Sequence, residues 1–111
     1  MATDVLSGRP SSRRIDTDRI SLNVRQTGNG PLMLFFHGIT SNSAVFAPLM
    51  ARLSDRFTTI AVDQRGHGLS DKPESGYQAN DYADDIAHLI RTLDRGPAIL
   101  VGHSLGARNS V

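Results

Sequence analysis

The chain has 111 residues, 39% of them apolar and 21% charged, with a formal net charge of +1. That balance suits one small globular domain and gives no electrostatic case for binding nucleic acid or an anionic membrane. It contains no cysteine, which excludes disulfides, thiolate catalysis and cysteine-ligated metal sites. No apolar run approaches membrane-spanning length, the longest being Leu32 to Phe36.

The first stretch, "MATDVLSGRPSSRR", is small, polar and basic. It is expected to be part of a flexible leader over residues 1–18, followed by a core domain over 19–111. "RISLNVRQTGNG" alternates Ile20, Leu22 and Val24 with polar residues and ends in Gly-Asn-Gly, the pattern of a half-buried strand. "PLMLFFHG" has a continuous apolar centre, which predicts a strand buried on both faces. In "SNSAVFAPLMARLSD", Phe46, Leu49, Met50 and Leu53 form a helical stripe, with Pro48 near the helix start. "FTTIAVD" is a second buried strand, rich in β-branched residues.

A glycine-rich loop follows, and then "ANDYADDIAHLIRTLDRG". Tyr82, Ile86, Leu89, Ile90 and Leu93 share one helical face. Acidic residues stand in the early turns, Arg91 and Arg95 near the end, and Gly96-Pro97 beyond. "AILVG" predicts a short third buried strand, and "SLGARNSV" the first turns of another helix. Buried strands alternating with amphipathic helices define an α/β fold with a mostly parallel sheet and flanking helices. In such sheets ligands lie beyond the carboxyl ends of the strands. Three loops leave those ends: His37-Gly38-Ile39, Asp63 to Ser70, and Gly102 to Gly106.

The last of these, Gly102-His103-Ser104-Leu105-Gly106, has the form Gly-X-Ser-X-Gly. A chain of this length shows that pattern by chance about 4% of the time, so context must decide. The chemistry requires a strand before the serine and a helix after it. The nucleophile then rides on a strained turn, and flanking side chains would collide with the neighbouring elements. Both elements are predicted. Ser104 is therefore the candidate nucleophile, with the Leu105 N–H at a helix start aimed at a developing oxyanion. His37-Gly38 ends a strand where a second donor is needed, and Ile39 offers that N–H. His37 itself is expected to hydrogen-bond backbone rather than carry protons. In Asp63 to Ser70, Asp63 and Arg65 are expected to tie down loop backbone. His103 lies within the turn and is a poor general base for its neighbour.

Competing chemistries fail. Gly66-X-Gly68 lacks the third glycine of a dinucleotide fingerprint, position 71 being Asp. No Gly-Lys-Ser/Thr is present, and the four histidines show no metal-type spacing. No cofactor and no metal are expected.

His37-Gly38, Asp63-X-Arg65-Gly66-His67-Gly68-X-Ser70 and the Ser104 turn follow successive strands in order. Together they resemble the N-terminal part of the α/β-hydrolase superfamily over about residues 19–111. The resemblance implies a cytoplasmic, cofactor-free hydrolase with Ser104 as nucleophile and Ile39 and Leu105 as oxyanion-hole donors. His37, Gly38, Gly102, His103 and Gly106 then support these motifs. A small molecule would be the substrate, with no nucleic acid or membrane partner and an undefined oligomeric state. Asp63 to Ser70 corresponds to a structural loop of the family. Serine at the turn argues against the superfamily branches that use aspartate there.

The runs "PLMLFFHGITSNSAVF" and "ILVGHSLGARNSV" narrow the likeness to members that hydrolyse a small carboxylated amide of the enamide type. Carbon–carbon bond hydrolysis, enol-lactone or carboxylester hydrolysis, and non-catalytic ligand binding remain open. Superfamily members place a catalytic acid and a histidine after the nucleophile. None of Leu105 to Val111 is Asp, Glu or His. A C-terminally truncated core, inactive and poorly stable by itself, is therefore expected.

Overall fold

The computed structural model describes residues 11–38 and 41–103. Five strands form one sheet: β1 (Ser11–Asp16), β2 (Ser21–Gly28), β3 (Leu32–Phe36), β4 (Thr58–Val62) and β5 (Ala98–Gly102). A 3₁₀ turn (Ser43–Phe46) leads into helix α1 (Ala47–Leu53), and helix α2 (Ala79–Leu93) joins β4 to β5. The strand order is β1-β2-β4-β3-β5. β3 runs parallel to both β4 and β5, whereas β1 pairs antiparallel with β2, and β2 antiparallel with β4. The sheet is thus mixed. Parallel pairing is confined to strands joined by helical crossovers, while the short link from β1 to β2 permits only a hairpin.

β1 corrects the expected leader, because Ser11 to Asp16 pair with Gln26 to Ser21 along the whole strand. Only Ile15 of this strand enters the core. Its remaining residues are held by polar partners: Arg13 donates to the Gln26 side chain at 2.7 Å, and Arg14 meets Asp71 at 2.5 Å. A polar edge strand lacks the apolar alternation that marks a strand in sequence, and its charges discourage further pairing at the sheet edge.

The predicted two-sided burial of β3 follows from its alternation. Leu32, Leu34 and Phe36 face one cluster with Ile60, Val62, Ile86 and Leu89. Phe35 faces the other with Ala61 and Met50, flanked by Phe46 and Val101. Helix α2 covers the first face with Tyr82, Ile86 and Leu89 buried. Its start is capped by Asp81, whose carboxylate accepts the Gln78 N–H at 2.9 Å. On the α1 side the expected stripe is corrected at Leu49, which is 43% exposed. A 3₁₀ turn leads into the helix, and Phe46, Met50 and Leu53 of the expected stripe pack on the second cluster. The expected helix after β5 falls outside the described residues.

Candidate active site

Strand register brings the candidate loops to one edge. Phe36 stands opposite both Val62 and Gly102, so His37, Asp63 and His103 leave the sheet side by side. The His103 N–H donates to the Phe36 carbonyl at 3.1 Å, extending the β3–β5 ladder by one residue. Beyond this edge lies a cleft of about 530 Å³ lined by Gly38, Ser41, Val45, Phe46, Val101, Gly102 and His103. The structure therefore places Gly38 opposite Gly102 and His103 across one opening. Ile39, Ser104, Leu105 and Gly106 lie outside the described residues.

His37 is fully buried. Its Nδ1 donates to the Gly38 carbonyl at 2.7 Å, and its Nε2 accepts the Gln64 N–H at 3.0 Å. An acceptor at Nε2 requires the neutral ring with its proton on Nδ1. Burial holds the imidazole below its ordinary value, and His67, with ring centroids 4.9 Å apart, adds to this against the Gly38 hydrogen bond. Both ring nitrogens are engaged by backbone, so neither is free to move a substrate proton.

Asp63 is 1% exposed yet lies below the usual carboxylate range. Burial alone would raise it, but hydrogen bonds from the Ser43 and Leu69 N–H groups and from the Ser43 and Asn23 side chains outweigh that effect. The Ser43 N–H comes within 2.7 Å of Oδ1, while Asn23 and Leu69 reach Oδ2 at 3.0 and 3.1 Å. This carboxylate is consumed by structure. Gly68, at φ +53°, permits the arrangement, since a Cβ there would stand 2.4 Å from the Asp63 carboxylate. The Ser70 hydroxyl closes the loop by donating to the Asp63 carbonyl.

Arg65 behaves only partly as expected. Nη1 bonds the Gly76 carbonyl at 2.8 Å, but its main partner is the Asp85 carboxylate, reached by Nε at 2.7 Å and Nη2 at 2.8 Å. Arg19 adds a third contact to Asp85 at 3.1 Å. In the sequence Asp85 is one of three acids, with Asp81 and Asp84, in the early turns of this helix. Its position three residues after Tyr82 and one before Ile86 puts it on the apolar face, which is the available signal for a buried ion pair. Asn23, Ser43 and Gln64 were missed as anchors, because nothing local marks a polar residue that will meet a distant loop.

Among the described residues no three His, Cys, Asp or Glu gather as a metal site, and no helix is long and apolar enough to cross a membrane.

The sheet and the crossover helix, with His37, Asp63 and His103 leaving it at one edge, fit an α/β hydrolase core. The family model for the alpha/beta hydrolase fold matches residues 31–111, and the chain belongs to that family. It is 81% identical over its whole length to 2-(acetamidomethylene)succinate hydrolase of Mesorhizobium japonicum, covering 40% of that protein. It is 40% identical over 90 residues to an AB hydrolase superfamily protein of Bacillus subtilis, covering 80% of this chain and 34% of that protein. A crystal structure of E-2-(acetamidomethylene)succinate hydrolase superposes with a TM-score of 0.90 at 84% identity, over 91% of this chain and 38% of the other. An epoxide hydrolase from Vigna radiata gives a TM-score of 0.88 at 30% identity, over 92% and 33%. The chain spans about two-fifths of the first of these relatives.

Proposed function

We propose that the protein carrying this chain is a serine hydrolase acting on a small carboxylated amide such as (E)-2-(acetamidomethylene)succinate. The observation that supports it is the convergence of Gly38 with Gly102 and His103 on one cleft, directly before Ser104 in the chain. On this reading Ser104 Oγ attacks the amide carbonyl carbon, and the N–H groups of Ile39 and Leu105 hold the oxyanion. A base supplied elsewhere in the whole protein takes the serine proton and returns it to the leaving nitrogen. Water then releases the acetyl group.

Val45, Phe46 and Val101 give the cleft an apolar wall suited to a small acyl group. No Lys or Arg is among the described residues that line it, and the two carboxylates are expected to meet cationic groups elsewhere in the whole protein. The substrate rests on the 81% likeness to the Mesorhizobium hydrolase. Serine at the turn separates this reading from the epoxide hydrolase whose fold the chain shares.

The test uses the full-length protein. Ser104→Ala should abolish both turnover of (E)-2-(acetamidomethylene)succinate and labelling by a fluorophosphonate. Absence of label in the wild type, with ligand binding retained, would instead favour a receptor. The 111 residues alone are expected to hydrolyse neither this amide nor an activated ester above background. They hold no candidate acid or base after Ser104, and turnover dependent on Ser104 would overturn that expectation.

A further inference from the structure

We propose that the cleft past the ends of β3 and β5 is an acyl subsite that takes acyl groups longer than acetyl, and that Phe46 is the residue that selects among them. The inference deepens the reading of Ser104 as nucleophile and rests on it. It is carried by the wall of the cleft.

Phe46 closes the 3₁₀ turn Ser43–Phe46 and leads into α1. Its ring packs on Phe35, with centroids 5.1 Å apart and planes at 43°. Phe35 is fully buried, and Val101 stands opposite it in the β3–β5 register. Phe46 and Val101 thus rest on one common ring, and both line the cleft with Val45. The turn is pinned at its start. The Ser43 N–H donates to Asp63 Oδ1 at 2.7 Å, and Arg25 Nε donates to the Ser43 hydroxyl at 3.0 Å. At the other end Pro48 stands in the first turn of α1, where its ring fixes the backbone. A wall held in this way yields little to an oversized group, which is what selection by size requires.

Charge and volume decide which part of a substrate belongs there. Among the described residues, the side chains lining the cleft are those of Ser41, Val45, Phe46, Val101 and His103. None carries a fixed charge, so a carboxylate placed against them would lose water without gaining a counterion. An uncharged acyl chain has no such penalty and gains about fourfold in binding for each methylene it buries. An acetyl group takes up about 60 Å³, the room of two waters. The cleft offers about 530 Å³, so a longer chain fits along the Phe46 wall.

The experiment uses the full-length protein and three N-acyl forms of the same enamide: acetyl, propanoyl and butanoyl. In the wild type kcat/KM should rise about fourfold with each added methylene. A flat or falling series overturns the subsite. Phe46→Trp narrows the cleft and should lower the butanoyl-to-acetyl ratio of kcat/KM at least about tenfold. An unchanged ratio overturns Phe46 as the selector, whatever the loss in overall activity. Because Phe46→Trp also crowds Phe35, Val45→Trp repeats the test from a side chain that is 57% exposed. It should lower the same ratio, and a ratio unchanged in both variants overturns selection by this wall.

A binding measurement separates the subsite from the nucleophile. Acetamide, propanamide and butanamide are titrated into Ser104→Ala protein and followed by the methyl signals of Val45 and Val101. Both residues should respond, with affinity rising about fourfold per methylene. Silence at both overturns the subsite, whichever residue is the nucleophile. If both respond but Ser104→Ala keeps full turnover, the nucleophile reading fails and the subsite stands.

Discussion

Replacing Asp85 by alanine should be among the most damaging changes available in the described part of the chain. The Asp85 carboxylate is 6% exposed and the Arg65 side chain 7%, so the pair is effectively dry. Alanine removes both Arg65 contacts, at 2.7 and 2.8 Å, and the Arg19 contact at 3.1 Å. Arg65 would keep only the Gly76 carbonyl and remain a buried charge without a counterion. Breaking such a pair from one side costs about 3–5 kcal/mol, a large part of the ~5–15 kcal/mol that holds a typical domain together. In urea unfolding of the full-length protein, the midpoint should fall by about 1 M or more for a slope near 3 kcal/mol per M.

The double variant Arg65→Met with Asp85→Leu removes both charges and refills the space with apolar atoms. It should be more stable than Asp85→Ala, because the penalty lies in the stranded charge and not in the lost attraction. The exposed pair Arg14–Asp71, with side chains 47% and 49% accessible, offers a contrast. Asp71→Ala should cost a small fraction of the Asp85→Ala loss, since exposed pairs are screened by solvent. A change of less than about 1 kcal/mol for Asp85→Ala, or a double variant less stable than Asp85→Ala, would refute the view that burial dominates here.

Gly68→Ala should cost about 1–3 kcal/mol, the sum of a left-handed backbone conformation and a collision with the Asp63 carboxylate. Gly96→Ala is the internal control, also at positive φ but with nothing within 4 Å of the added carbon. A thermal melt giving equal losses for the two would show that the Asp63 contact is unimportant. His37 makes a prediction about pH. Its folded value is lowered from 6.5, so the unfolded chain binds the proton more readily. The stability it contributes is complete above pH 6.5 and is lost as pH falls through the lowered folded value. Melting temperature should therefore decline on acidification below pH 6.5, and His37→Gln should flatten that decline; an unchanged slope would count against a neutral buried ring. Asp63 acts in a separate, more acidic window, its contribution present above 3.8 and lost as pH falls through its lowered folded value.

Much of the fold was legible in local pattern. Continuous apolar runs at Leu32–Phe36 and Thr58–Val62 became strands with alternate residues on two core faces. The 3.6-residue spacing of Tyr82, Ile86 and Leu89 became the buried face of α2. The same local logic set His37, Asp63 and His103 just past strand ends on one edge, since a parallel strand and its neighbour must release their chains on the same side.

Tertiary structure decided whatever depends on partners distant in sequence. Ser11 to Asp16 became a strand because β2 offered a free edge, not because of their own pattern. β4 inserted between β2 and β3, although those two are adjacent in the chain. Asp85 became a buried counterion when Arg65 arrived from the loop after β4, and His37 gained its fixed tautomer only when Gln64 met it across the sheet edge. Hydrophobic periodicity records which face of an element leaves water. It carries no record of which polar group waits on the other side, and for this chain that second fact shapes the edge of the sheet where the candidate site begins.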